Sequence, residues 1–187
     1  SNIRLILMQV EVTGPPCSGK SYYLKGEANL LSKNKLSKFY FFWVGGGTLS
    51  YSELILLIRL CSQEKVSFIF KLNIFYNALI KFGVFHKSIN NSNNNVVDEG
   101  ISHLAFNFLE AKYTDLELLV KDRLPLVHVK IIVNIDDNIL KERLLSRGHT
   151  RLRYYSIDNF LYKNHAAKIK AEMYSKKFSG NYTELKL

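Results

Sequence analysis

Runs of apolar residues broken by short polar or glycine-rich segments divide this chain into a series of strand-like and helix-like stretches. Ile3 to Val12 is a β-rich apolar run ending at Gly14 and predicts a buried strand. A helix is expected from Ser18 to about Leu31, and a second strand over Phe39–Val44, closed by Gly45-Gly46-Gly47. Helical stretches follow at about 51–61 and 64–82, the second ended by Gly83. Residues 88–95 are a polar loop of serine and asparagine around one isoleucine. A short Val96-Val97 run leads into Asp98-Glu99-Gly100 and a helix at about 101–112. Thr114-Asp115-Leu116-Glu117 has capping-box spacing and opens another helix, stopped by Pro125. Leu126 to Ile135 reads as a strand, after which Asp136 or Asp137 caps a helix to about Arg147. A polar, arginine-rich segment at 148–156 precedes a last helix near 157–178, with Ile157, Leu161, Ile169 and Met173 as its apolar positions. Gly180 ends it, and Tyr182–Leu187 is expected as a final strand.

Strands alternating with helices imply an α/β architecture, a mainly parallel sheet of about five strands flanked by helices in three layers. No repeat or linker divides residues 1–187, so one domain is expected.

Composition adds little to the fold but narrows the partners. With 47% hydrophobic residues, 22% charged and a mean hydropathy of −0.05, the chain has an ordinary soluble composition. Its greasiest stretch, Val66 to Phe82, is interrupted by Lys71, Asn73, Asn77 and Lys81, so no membrane span is expected. The opening Ser1-Asn2 is set aside as a tag remnant. Two cysteines, Cys17 and Cys61, have no disulfide or metal spacing and fit a reduced, cytoplasmic setting. The net charge of +10 points to anionic partners, either phosphorylated small molecules or, less favoured, nucleic acid.

The strongest chemical signal is Gly14-Pro15-Pro16-Cys17-Ser18-Gly19-Lys20-Ser21, which matches the G-x-x-x-x-G-K-[ST] pattern of a P-loop, or Walker A motif, in full. Its glycines let the backbone turn so that N–H groups converge on phosphates. Lys20 would reach the β- and γ-phosphates of ATP, and Ser21 would ligate Mg²⁺. Asp98, just after Val96-Val97, stands where a Walker B aspartate holds Mg²⁺, or else caps the next helix. Glu99 is a candidate base or a solvated helix-start acid. Arg143 and Arg147 lie four apart on one helix face with Arg151 and Arg153 beyond, an arrangement suited to transferring phosphates or to a solvated basic face paired with Glu142.

Together, Gly14–Ser21, Asp98-Glu99-Gly100 and the run from Glu142 to Arg147 leading into Arg151 resemble the nucleoside-monophosphate-kinase-like (adenylate kinase-like) P-loop small-molecule kinases. The resemblance implies a three-layer P-loop NTPase fold and an ATP-dependent kinase with Mg²⁺ as cofactor. It further implies a lid at 148–156, mobile without ligand, and an acceptor-side insertion at 45–85 with Arg59 or Lys71 as acceptor ligands. The adenylate kinase Asp-Gly-Phe-Pro-Arg motif, the thymidylate kinase Asp-Arg-Tyr/His and the deoxynucleoside kinase Glu-Arg-Ser are all missing, so the acceptor does not carry over. The sequence stops where the family usually adds a helix after the last strand, so that helix is either missing or lies beyond Leu187. The competing expectations are a nucleotide-hydrolysing or nucleotide-sensing module and a polynucleotide 5′-kinase. His86, His103, His128, His149 and His165 have no metal spacing and are expected in structural or surface roles. Cys17 reads as a tolerated small residue rather than an oxidant sensor.

Overall fold

The computed structural model describes residues 9–27, 30–31, 35–89, 96–133 and 136–186. The expected strand residues 3–8 and the loop residues 90–95 lie outside them. At the centre is a parallel sheet of β1 (Gln9–Thr13), β2 (Val96–Asp98), β3 (Val127–Val133) and β4 (Asn181–Lys186) in the spatial order β2-β1-β3-β4. Leu30 adds one parallel bridge to Val96 on the outer side of β2. The chain therefore leaves β1 towards one edge, returns through β2, and crosses to β3 on the other side. Where neighbouring strands β1 and β3 send their connections in opposite directions, a crevice opens at the strands' C-terminal ends. Residues 14–21 follow β1 directly into that crevice.

Helices flank the sheet: α1 (Lys20–Tyr23), α2 (Lys35–Thr48), α3 (Tyr51–Gln63), α4 (Phe68–Ile89), α5 (Leu104–Asn107), α6 (Tyr113–Val120), α7 (Asp137–Ser146) and α8 (Ile157–Phe178). On β3 the side chains alternate, as strand geometry requires. Val127, Val129 and Ile131 join the main core with α3, α4, α6 and α8, while Ile132 joins a smaller cluster with Val12, Leu24 and Val96.

The largest departure from expectation is at Phe39–Val44, which is not a strand but the middle of α2. Burial falls at helical spacing, with Phe41 and Gly45 inward and Phe39, Tyr40 and Trp43 exposed. Nor does the glycine triplet close an element. A Cβ on Gly45 would overlap the Leu79 carbonyl, and one on Gly83 would overlap the Phe41 carbonyl, so α2 and α4 cross almost backbone to backbone. For the same reason Gly83 does not end α4, which runs on to Ile89. By length and apolarity α4 meets the test for a membrane-crossing helix (mean hydropathy 1.4), and half of that window is buried inside the fold.

Three helix bounds also shift. The helix expected from Ser18 to Leu31 is the single turn α1, since the chain turns at Gly26 (φ +127°) and is extended by Leu30. The helix expected at 101–112 is a 3-10 turn at Ile101–His103 followed by α5. The capping box read at Thr114 is not formed: Lys112 precedes α6 without a side-chain cap, and α6 ends at Val120 ahead of the Pro125 turn. A capping box does form at Ser50 and Glu53, at the start of α3. The bounds of β2, α7, α8 and β4 fall within a residue or two of expectation. On α8, however, Ile169 and Met173 are exposed, and the inward face is built from Phe160, Leu161, Asn164, Ala167, Ala171 and Tyr174.

The α2–α4 crossing makes a direct prediction. Gly83→Ala should cost about 1–3 kcal/mol or more in urea denaturation, because the helices must separate. Gly46→Ala, whose added Cβ meets nothing within 4 Å, should instead stabilise by roughly 0.5–1 kcal/mol. Equal effects from the two would show that the crossing is looser than described.

Candidate functional site

β1 carries an unusual polar face. Gln9, Glu11 and Thr13 alternate with Val10 and Val12, and all three polar side chains are fully buried. The Glu11 carboxylate accepts hydrogen bonds from the backbone N–H groups of Ile101 (3.1 Å) and Ser102 (2.8 Å) and from Gln9 Nε2 (2.5 Å). Gln9 in turn accepts a hydrogen bond from Ser88 of α4. Burial pushes the Glu11 pKa up, and the hydrogen bonds from Ser102 and Ile101 pull it part of the way back. A Cβ on Gly100 would overlap this carboxylate, so glycine is required there. Tyr174 of α8 holds the same segment from the other side, donating to Ser102 O at 2.5 Å. The chain just after β2 is thereby fixed against β1 at the strands' C-terminal ends.

The 14–21 loop stands at that edge. Cys17 adopts φ +63° and Gly19 φ +95°, and Ser18 N donates to Pro15 O at 3.3 Å, so the backbone coils tightly. Lys20 points back into the coil, its Nζ donating to Gly14 O (3.1 Å) and Pro15 O (2.8 Å). The buried Ser18 Oγ has no hydrogen-bond partner among the described residues.

Glu99 joins the loop to the post-β2 segment. Its φ of +55° is uncommon for a residue with a side chain, a conformation that costs free energy and concentrates at functional sites. Its carboxylate lies 3.2 Å from Lys20 Nζ, 3.6 Å from His103 Nε2 and 3.9 Å from Lys81 Nζ, while Lys81 also donates to the Glu99 carbonyl at 2.7 Å. The other ring nitrogen of His103 meets Thr13 Oγ1 at 2.9 Å. Burial alone would raise the Glu99 pKa, but His103, Lys81 and Lys20 together hold it far below the usual carboxylate range. In this arrangement Glu99 is a weak proton acceptor, contrary to the simplest version of the expected base.

Two openings meet at Glu99. A cleft of about 550 Å³ is lined by the loop from Pro16 to Tyr22 and by Asp98, Glu99, Arg143, Arg147 and His149. Asp98 ends β2 opposite Val12, so the strand carrying it lies beside the strand that leads into the loop, as expected. Arg143 donates from Nη1 to Cys17 O at 3.4 Å, and Arg147 follows at the end of α7, where Asp136 is the N-cap. A second cavity of about 260 Å³ lies on the other side of Glu99 and shares Pro16, Glu99 and His149 with the cleft. It extends between α4, the post-β2 segment and α8, reaching Phe70, Asn77, Asn107, Arg151 and Asn164.

The cleft thus gathers most of the expected site residues, but not all. Arg151 turns away from the loop into the second cavity. It is buried, pairs with Glu64 at 3.5 Å and donates to Asn107 O. The expected lid at 148–156 is folded down: Thr150–Arg153 form a 3-10 turn, Tyr155 is buried, and Leu152 packs on the main core. Arg59 pairs with Asp115 (2.6 Å), Lys71 donates to Ser62 O (2.7 Å), and neither lines the two openings. Three further site residues, Glu11, Lys81 and His103, were not singled out in the sequence for this site. The alternation Gln9-Val10-Glu11-Val12-Thr13 is a readable local signal for the first. The other two are joined to the site only by tertiary packing.

His149 lines both openings. Burial lowers its pKa, and the nearby Arg151 charge adds to the effect. Its Nδ1 accepts from Arg151 N at 3.3 Å, which places the ring proton on Nε2 in the neutral form. Among the described residues no group of three or more His, Cys, Asp or Glu is arranged to hold a metal ion. Comparison with family models, with curated proteins and with solved structures finds no match to this chain.

The Glu99 cluster predicts a pH dependence. A carboxylate with a depressed folded pKa stabilises the protein fully above its ordinary value of 4.5, and this contribution is lost as pH falls towards the folded value. Wild type should therefore exceed Glu99→Gln in urea midpoint at pH 7, with the gap narrowing at pH 3.5. A gap unchanged between the two pH values would contradict the charge pairing.

Proposed function

We propose that this protein is an ATP-dependent phosphotransferase that passes the γ-phosphate of ATP from the 14–21 cleft to a small acceptor in the adjoining cavity. The observation that carries the reading is the meeting of the two openings at Glu99, Pro16 and His149. A donor phosphate lying along the loop would face an acceptor group directly across Glu99, the geometry that proximity catalysis needs.

The P-loop reading of Gly14–Ser21 supplies the donor site. Loop N–H groups and the Ser18 hydroxyl would receive phosphate oxygens, and Lys20, held here on the loop's own carbonyls, would exchange them for the β- and γ-phosphates. Ser21 and Asp98 line the same cleft and offer the hard oxygen ligands that suit Mg²⁺, which binds few protein groups and would neutralise phosphate charge. Arg143 and Arg147 would stabilise negative charge on the transferring group. Arg151 is removed from that role by its position.

Glu99 takes a two-stage role in this reading. Phosphates that draw Lys20 away remove one of the charges that depress its pKa, so the carboxylate becomes a better proton acceptor only when the donor is bound. The polynucleotide 5′-kinase reading has no support of its own in the site, because the second cavity is small, about 260 Å³.

Lys20→Ala should raise the ATP dissociation constant at least tenfold in calorimetry without shifting the thermal midpoint by more than a few degrees. Arg147→Ala should reduce labelled-phosphate transfer by ~10²–10³-fold while ATP affinity changes little. Undiminished ATP binding by Lys20→Ala would remove the donor site, and with it the proposal.

A further inference from the structure

The second cavity has an internal chemistry of its own. Arg151 is 7% exposed, and among the described residues its Nη1 has no hydrogen-bond partner although it lies 3.5 Å from Glu64 Oε2, which also has none there. Nη2 already donates to Asn107 O, but a buried guanidinium with Nη1 left without a hydrogen bond is costly unless a further acceptor satisfies it. Its charge, however, is already balanced by the fully buried Glu64 carboxylate, as that of Lys81 is by Glu99. Beside His103, His149 and Ile74, what remains along the walls is neutral amide, hydroxyl and aromatic surface. Asn73, Asn77, Asn107, Asn164 and Thr150 line the cavity, with the rings of Phe70, Phe106 and Phe160 between them. Asn77 already spends its Nδ2 on Asn73 (2.8 Å to the carbonyl), and Asn164 spends its own on Phe160 O (2.7 Å). At about 260 Å³ the space falls below the ~300–1,000 Å³ of pockets for drug-sized ligands.

Resting on the phosphotransferase reading above, we propose that the acceptor is an uncharged, polyhydroxylated molecule with a single ring, of monosaccharide size, one of whose oxygens accepts from Arg151 Nη1 while its hydroxyl faces Glu99. Paired charges and amides suit hydroxyl groups, each of which donates and accepts, and the aromatic rings suit the apolar C–H face of such a ring. An anionic acceptor would have to compete with Glu64 for Arg151. In the transfer step the acceptor hydroxyl oxygen forms a bond to the γ-phosphorus. The bond from that phosphorus to the β–γ bridging oxygen breaks, its electron pair leaving with ADP, and the hydroxyl proton passes to Glu99.

The test is calorimetric binding to the full chain without nucleotide, using ribose, glucose and myo-inositol against glucose 6-phosphate, gluconate and AMP. At least one uncharged ligand should bind more tightly than every anionic one, with a dissociation constant that changes less than twofold between 50 mM and 500 mM salt. Asn77→Leu, on an exposed position of α4, should weaken that binding roughly tenfold with the fold intact. Sugar binding by wild type, with ATP binding undiminished in Lys20→Ala, would sink the donor reading alone. Preference for an anionic ligand, or binding of none of the six, overturns the acceptor assignment.

Discussion

A single buried carboxylate sets the geometry on which the site depends. Glu11 sits in the central strand with no access to water, and it accepts the two N–H groups that would otherwise be stranded at Ile101 and Ser102. Buried acceptors of this kind are costly to leave unmatched, so the post-β2 segment has few alternatives to its observed path. Gly100 is pressed against the carboxylate, and the residue before it, Glu99, is held in the left-handed region. That conformation aims the Glu99 side chain at Lys20, although 37% of the side chain remains exposed.

From this constraint follows the electrostatic character of the cleft. Lys20 comes from the loop, Lys81 from α4 and His103 from the turn after β2, and the three converge on one carboxylate. Lys20, Arg143 and Arg147 line the cleft against Asp98 and Glu99, a local excess of positive charge that suits a phosphate-bearing ligand more directly than the overall charge of +10 does. The proposed mechanism uses Lys20 twice, first to hold the loop closed on itself and then to receive the donor.

Local pattern made part of this legible in advance. The full motif at Gly14–Ser21, the short β2 with Asp98 at its end, α7 with its Asp136 cap, and α8 all emerge from residues close in sequence. Phe39–Val44 failed because six consecutive apolar and aromatic residues satisfy a strand and a buried helix face equally well. The decision between them rests on Gly45 meeting Leu79, thirty-four residues away. Arg151 failed for a related reason. Its sequence neighbours are polar, and only Glu64, Asn107 and Phe70, from distant elements, draw it inward. The packing of residues 150–155 was hidden as well, since Leu152 and Tyr155 look like isolated apolar residues until the core they enter is known.

The central claim is that the 14–21 loop and its charged partners form a site for nucleoside triphosphate. A crystal structure of the protein with Mg²⁺ and a non-hydrolysable ATP analogue tests it most directly. The account predicts phosphates along the loop, with Lys20 Nζ moved from the Gly14 and Pro15 carbonyls onto phosphate oxygen and Ser21 and Asp98 beside the metal. Nucleotide bound elsewhere, or Lys20 still seated on those carbonyls with the analogue present, would contradict it.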